Sequence, residues 1–139
     1  ENHGELLLSA IKEKNETKSV FYVHGGVAAE DREAVRLICE RNQNAIIVAS
    51  MGTFSTGINI PKIKQVIFAH PSKSKIRTLQ SIGRGLRKAK GKSDVILFDI
   101  VDDLRHKKKK NYTYKHFEER LAFYTTEQFK TTIARVPIS

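Results

Sequence analysis

The run Ala45-Ile46-Ile47-Val48-Ala49, followed at once by Ser50-Met51-Gly52-Thr53-Phe54-Ser55-Thr56-Gly57-Ile58-Asn59-Ile60-Pro61, decides the fold. An apolar run without alternation is the pattern of a strand covered on both faces, as in parallel sheets. The polar stretch after it, with two glycines and three hydroxyls, predicts a loop from Ser50 to Ile60 whose N–H groups and hydroxyls suit phosphate oxygens. Similar apolar runs occur at Ser19–Val23, at Gln65–Ala69 before Pro71, and at Asp94–Val101. Between them, helical spacing predicts helices over Glu5–Lys14, Glu30–Arg41, Ile76–Leu86 and Tyr114–Glu127. In the last, Phe117, Leu121 and Tyr124 are expected in line, and Phe129–Val136 reads as a final strand. Strands alternating with helices predict an α/β sandwich with a mostly parallel sheet. Ligands of such sheets gather at the loops after the strands' carboxyl ends. Those loops are His24–Gly26, Ser50–Ile60, His70–Lys75 and the stretch after Asp99.

The chain has 139 residues, the size of one domain, with a net charge of +10 and a pI near 9.8. This balance implies a polyanionic partner. Lys73, Lys75, Arg77, Arg84, Arg87, Lys88, Lys90 and Lys92 follow one another with no acid among them. A second basic run, Arg105-His106-Lys107-Lys108-Lys109-Lys110, predicts a mobile loop over about residues 104–112. The lone Cys39 excludes an internal disulfide and fits a reducing compartment; it shares a helical face with Val35 and Ile38. No apolar run reaches the ~20 residues of a membrane span. The polar start, Glu1-Asn2-His3-Gly4, is unlike a secretion signal, so the cytoplasm is the expected location. A first residue other than Met predicts a piece of a longer protein.

Phosphate-loop chemistry of the G-x-x-x-x-G-K-[ST] type is absent, as is a strand ending in an Asp-Glu pair for Mg²⁺. Neither zinc spacing nor a G-x-S-x-G elbow occurs. The strongest polar signal is Gln80-Ser81-Ile82-Gly83-Arg84-Gly85-Leu86-Arg87. Arg84 and Arg87 project from one side of a helix, and Gly83 and Gly85 clear the space beside them. Each glycine costs roughly 1 kcal/mol of helix stability against Ala, a cost that close approach to a ligand would offset. Guanidinium groups grip phosphate oxygens in a fork.

Taken in order, these stretches resemble the C-terminal RecA-like domain of superfamily 2 helicases, within it the UvsW-type DNA helicases of phages. Tyr22-Val23-His24-Gly25-Gly26 with Arg32 resembles motif IVa, Ile46–Ile58 motif V, and Ser74–Lys88 the approach to motif VI and the motif itself. Phe98–Asp103 and Lys115–Phe129 resemble the end of the pattern. The resemblance implies one domain over residues 1–139, a RecA-like three-layer sandwich whose first strand is missing. It implies Arg87 as an arginine finger and Arg84 as a second γ-phosphate contact. Gln80, Gly57 and Asn59 would meet the nucleotide. His24, Gly25, Gly26, Ser50, Met51, Lys73, Ser74 and Lys75 would meet the nucleic-acid backbone. Many relatives have Asp at the Asn59 position and Arg at the Ser81 position. ATP with Mg²⁺ would be held mainly by an N-terminal RecA-like domain of the same parent protein, so this chain alone is expected not to hydrolyse ATP. The implied partner is DNA, branched or at a single-strand/duplex junction, in recombination or repair. Two alternatives stand beside this: a non-enzymatic basic nucleic-acid-binding module, and the motor half of an RNA helicase.

Overall fold

The computed structural model describes residues 2–42, 44–57, 60, 62–70, 75–77, 79–80, 94–107 and 109–138, the side chains of 55–57 excepted. Asn59, Lys73, Ser74, Arg84 and Arg87 lie outside the described residues. The chain divides into two compact units, Glu1–Val66 with Arg77–Leu97, and Ile67–Ile76 with Phe98–Ser139.

The first unit is built on a parallel strand pair. Strand β1 (Ser19–Val23) lies beside β2 (Ala45–Ala49), with Ser19 opposite Ala45 and Val23 opposite Ala49. Parallel neighbours need a crossover, and helix α2 (Ala29–Arg41) supplies it. Glu30 and Asp31 occupy its first turn and Arg41 its last, as the helix dipole favours. Cys39 is buried, as its helical face predicts, but its neighbour Ile38 is exposed. Among the described residues of this unit, Val23, Val48, Ile60 and Leu79 are the buried aliphatics. Helix α1 (Asn2–Lys14) precedes β1. It approaches Tyr22 closely through Gly4: a Cβ there would stand 2.6 Å from the Tyr22 hydroxyl.

Beyond β2 the structure departs from the sequence expectation. The stretch predicted as loop forms a short helix, α3 (Met51–Gly57). The hydroxyl of Ser50 accepts from the Thr53 backbone N–H at 3.4 Å and shares a 2.7 Å hydrogen bond with the Thr53 hydroxyl. A capping serine satisfies one of the orphan donors of a first turn, which outweighs the poor propensity of Gly52 and Gly57.

Strands β3 (Gln65–Phe68) and β4 (Ile96–Asp99) form a second two-stranded sheet. Ile96 donates to the Lys64 carbonyl and Ile100 to that of Phe68. Donor and acceptor advance together along both strands, the mark of parallel pairing. The architecture is therefore mixed α/β with short parallel strand pairs. Side chains alternate along β4: Ile96, Phe98 and Ile100 are exposed, and Asp99 faces the other way.

The second unit ends in helix α4 (Tyr112–Thr126). Its buried side chains are His116, Arg120 and Tyr124, not the expected line of Phe117, Leu121 and Tyr124. Residues 129–138 form no strand, and Ile133, Val136 and Ile138 are exposed. β-branched residues make a strand only where a neighbouring strand offers a ladder. Within the basic stretch, the described residues on either side of Lys108 pair. His106 and Lys109 exchange backbone hydrogen bonds at 3.2 and 3.0 Å, and Lys107 adopts a left-handed φ of 53°. Arg105 pairs with Asp103 and lies 4.2 Å from the Tyr114 ring centroid. Lys110 pairs with Glu118.

Helix α4 ends in a Schellman arrangement. Phe129 N–H reaches the Tyr124 carbonyl at 2.9 Å and Gln128 N–H that of Thr125 at 3.0 Å. Gln128 is left-handed at φ 58°, and Phe129 stacks on Tyr124 with 6.1 Å between ring centroids. Glycine ordinarily holds that left-handed position, where a Cβ costs roughly 1–2 kcal/mol. Gln128→Gly is therefore expected to stabilise the protein by roughly 0.5–1 kcal/mol, read as a higher thermal unfolding midpoint; a lower midpoint would contradict this account of the cap.

Candidate functional site

The first unit brings two of the predicted loops side by side. Because β1 and β2 are parallel and in register, the chain leaves both strands at the same end. The Ser50 N–H bonds the Val23 carbonyl at 3.1 Å, tying the start of one loop to the start of the other. His24 opens a tight turn in which Val27 N–H returns to its carbonyl at 3.0 Å. The Nδ1 of His24 accepts from the Gly26 N–H at 3.2 Å, and its ring lies 4.9 Å from that of Tyr22. A side chain at Gly26 would come within 3.0 Å of the His24 ring, whereas a Cβ at Gly25 would meet nothing within 4 Å. Gly25, Gly26 and Ser50 are exposed, His24 and Met51 half-buried. These five residues share one edge of the first unit.

Of the residues that the resemblance assigns to the nucleotide, Gln80 is exposed within a helical stretch described at residues 75–77 and 79–80, with Leu79 buried beside it. Gly57 closes α3. Lys75 corrects an expectation. The resemblance places it at the nucleic-acid backbone, but its exposure is 0%. Its ammonium bonds Asp99 Oδ1 at 2.9 Å and stands 5.4 Å from the Phe68 ring centroid. A cation this completely spent on a buried carboxylate has no surface left to offer a phosphate.

The partner of Lys75 belongs to a cluster in the second unit that the motifs do not reveal. Arg120 donates Nε to Asp99 Oδ2 at 2.7 Å and Nη2 to Oδ1 at 3.2 Å. The Tyr124 hydroxyl donates to Oδ2 at 2.7 Å. Lys75, Arg120 and Tyr124 are all buried. Each carboxylate oxygen accepts two hydrogen bonds, which fills its lone-pair sites. Burial by itself would raise the pKa of Asp99, but the bonds from Arg120, Lys75 and Tyr124 together outweigh it and hold the group below its ordinary 3.8. Burial pushes the Lys75 ammonium below its usual range, against the pull of Asp99. Burial, reinforced by the bond to Asp99, pushes the Tyr124 phenol above its usual 10.0. Two signals in the chain point to this cluster. Asp99 interrupts an apolar strand at an alternating position, and His116, Arg120 and Tyr124 recur every fourth residue.

Among the described residues no group of His, Cys, Asp and Glu could hold a metal ion, and no helix is long and apolar enough to cross a membrane.

The stability of the cluster has a defined pH signature. Asp99 is more acidic folded than unfolded, so its contribution is complete above pH 3.8 and lost as pH falls through the lower folded value. Tyr124 is less acidic folded, so its contribution is complete below pH 10.0 and lost as pH rises through the higher folded value. The unfolding midpoint should fall at both limbs, Tyr124→Phe should flatten the alkaline one, and an unchanged alkaline limb would refute the assignment.

The pattern of the helicase conserved C-terminal domain matches residues 2–89. Over 145 residues the chain is 39% identical to the ATP-dependent DNA helicase uvsW of Enterobacteria phage T4, an alignment covering 97% of this chain and 28% of that protein. No solved structure matches the chain.

Proposed function

We propose, because the chain belongs to the helicase conserved C-terminal domain family, that it is the second motor domain of an ATP-dependent DNA helicase or translocase. The observation that carries this reading is the family match over residues 2–89, which takes in all three ordered motif stretches. The adjacent exits of His24 and Ser50 support it, since a motor gripping a strand needs contacts grouped on one edge. The relative's printed name, an ATP-dependent DNA helicase, supports DNA over RNA as the track. Branched DNA, in recombination or repair, is the substrate this reading favours.

In this mechanism ATP, with its Mg²⁺, sits against an N-terminal RecA-like domain that supplies the phosphate loop. Arg84 and Arg87 reach its γ-phosphate. Their guanidinium forks suit phosphate oxygens, and the exposed Gln80 is free of the core at the opening of the same segment. Gly57 and Asn59 approach the nucleotide from motif V. Hydrolysis removes the γ-phosphate from the arginines, the cleft opens, and the grip at His24–Gly26 and Ser50–Met51 shifts along the strand. Lys73 and Ser74 add to that grip. Contacts to the backbone carry no base information, so binding is sequence-independent and salt-sensitive.

In the full-length protein, Arg87→Ala should reduce ATP turnover by roughly 10³-fold or more while ATP binding is retained. Normal turnover in that variant would overturn the finger role. A second reading, a basic nucleic-acid-binding module without motor action, draws on the net charge of +10. It expects DNA binding indifferent to nucleotide even when the full-length protein is used.

The basic turn separates the two kinds of lysine on this surface. Lys107 and Lys109 are exposed, whereas Lys110 is paired with Glu118. If the turn touches DNA, replacing Lys107 and Lys109 by Gln should flatten the dependence of log affinity on log salt by about 0.9 for each phosphate no longer neutralised; an unchanged slope makes the turn a passive connection.

A further inference from the structure

On the reading that the parent protein works on DNA, we infer that Tyr112, with Lys107 and Lys109 before it, forms a further nucleic-acid contact in the second unit. It takes an unpaired stretch and stacks one base on the Tyr112 ring.

Asn111 holds the base of this contact together. Its Nδ2 donates to the Asp102 carbonyl at 2.9 Å, and its Oδ1 accepts from the Leu104 N–H at 3.2 Å. The Thr113 hydroxyl donates to the same Asp102 carbonyl at 3.1 Å. The chain therefore leaves at Leu104 and is tied back at Asn111, and Tyr112 follows as the first residue of α4. Between these ends, His106 and Lys109 exchange backbone hydrogen bonds.

The cations here are of two kinds. Arg105 is paired with Asp103 and lies over the Tyr114 ring, and Lys110 is paired with Glu118. Lys107 and Lys109 are exposed, and no acid among the described residues pairs with either. Lys107 stands at a left-handed φ of 53°. Glycine would hold that backbone with less strain, so what the position gains from lysine is its charge. Residues other than glycine kept in such conformations cluster where ligands are held.

Tyr112 is the most exposed tyrosine or phenylalanine among the described residues, at 62%. Its ring is braced all the same. The buried His116 imidazole meets it edge to face, with 4.2 Å between ring centroids. That contact occupies at most one face of the tyrosine. A braced aromatic ring displayed a few residues from exposed ammonium groups suits a single strand, because cations follow the phosphates while rings stack the bases. In a duplex each base is already stacked on its neighbours and paired, so a surface ring selects unpaired nucleotides. An apolar protein partner would use the ring but leave the two lysines without a role.

The test measures the affinity of the full-length protein for three DNA ligands of one length: a single strand, the same sugar-phosphate chain without bases, and a blunt duplex. Tyr112→Leu should bind the single strand about 5–100-fold more weakly, with the abasic chain and the duplex within about 3-fold of the parent. Retained binding of those two also shows that the variant is folded. Tyr112→Phe keeps the ring and should stay within about 3-fold on all three ligands. Lys107→Gln with Lys109→Gln removes charge and leaves the ring, so it should weaken the single strand and the abasic chain alike. An unchanged single-strand affinity in Tyr112→Leu, an equal loss on all three ligands, or a Tyr112→Phe as weak as Tyr112→Leu would overturn the inference, as would a lysine variant that binds like the parent. A parent that binds none of the three would remove the motor reading itself, and this contact with it.

Discussion

A carboxylate taken out of water must find all its hydrogen bonds within the protein, and in the second unit Asp99 is the residue that has done so. Two cations and a phenol converge on it, from the segment after β3 and from α4. The arrangement holds one negative and two positive charges among buried side chains. Removing the negative one would leave two buried cations facing each other, and breaking such a pair typically costs about 3–5 kcal/mol. Among the described residues of the second unit few apolar side chains are buried, Phe68 and Tyr124 being two, so this polar junction takes the place that a larger aliphatic core would hold.

The first unit is organised by a different constraint. Parallel pairing dictates that the ends of β1 and β2 come out together. Everything placed at that edge, the His24 turn and the serine cap of α3, is there because the register puts Val23 opposite Ala49. The two units therefore hold their polar residues by unlike means. One displays them on loops, where exposed backbone can meet a ligand, and the other consumes them in its interior.

Much of this is legible in the chain. The apolar runs locate the four strands among the described residues, and helical spacing locates α1, α2 and α4 within a few residues of their ends. The motifs that assign Arg84, Arg87 and Asn59 are legible only as a resemblance, since spacing alone names no ligand. What fails does so for local reasons. Helix α3 reads as loop because two glycines count against a helix, and the Ser50–Thr53 cap that rescues it depends on one hydroxyl geometry. Lys75 reads as a nucleic-acid contact only through the resemblance, and the structure buries it. Its partner Asp99 lies 24 residues on in the chain, and the alternation of β4 that turns Asp99 inward does not name Lys75 as what it meets. The tail from Phe129 carries strand-like residues but no partner strand, and propensity without a neighbour makes no sheet.

The bare backbone at Gly4 has a practical corollary. Tyr22 fills the space a side chain there would need, and the same ring lies against His24. The start of α1 is thus not a neutral handle for a dye, a tether or a crosslinking residue. Anything built at position 4 would press on Tyr22 and, through it, on the turn where β1 ends. Labels meant to report on the strand exits without disturbing them belong elsewhere on the helix, for example at the exposed Leu6.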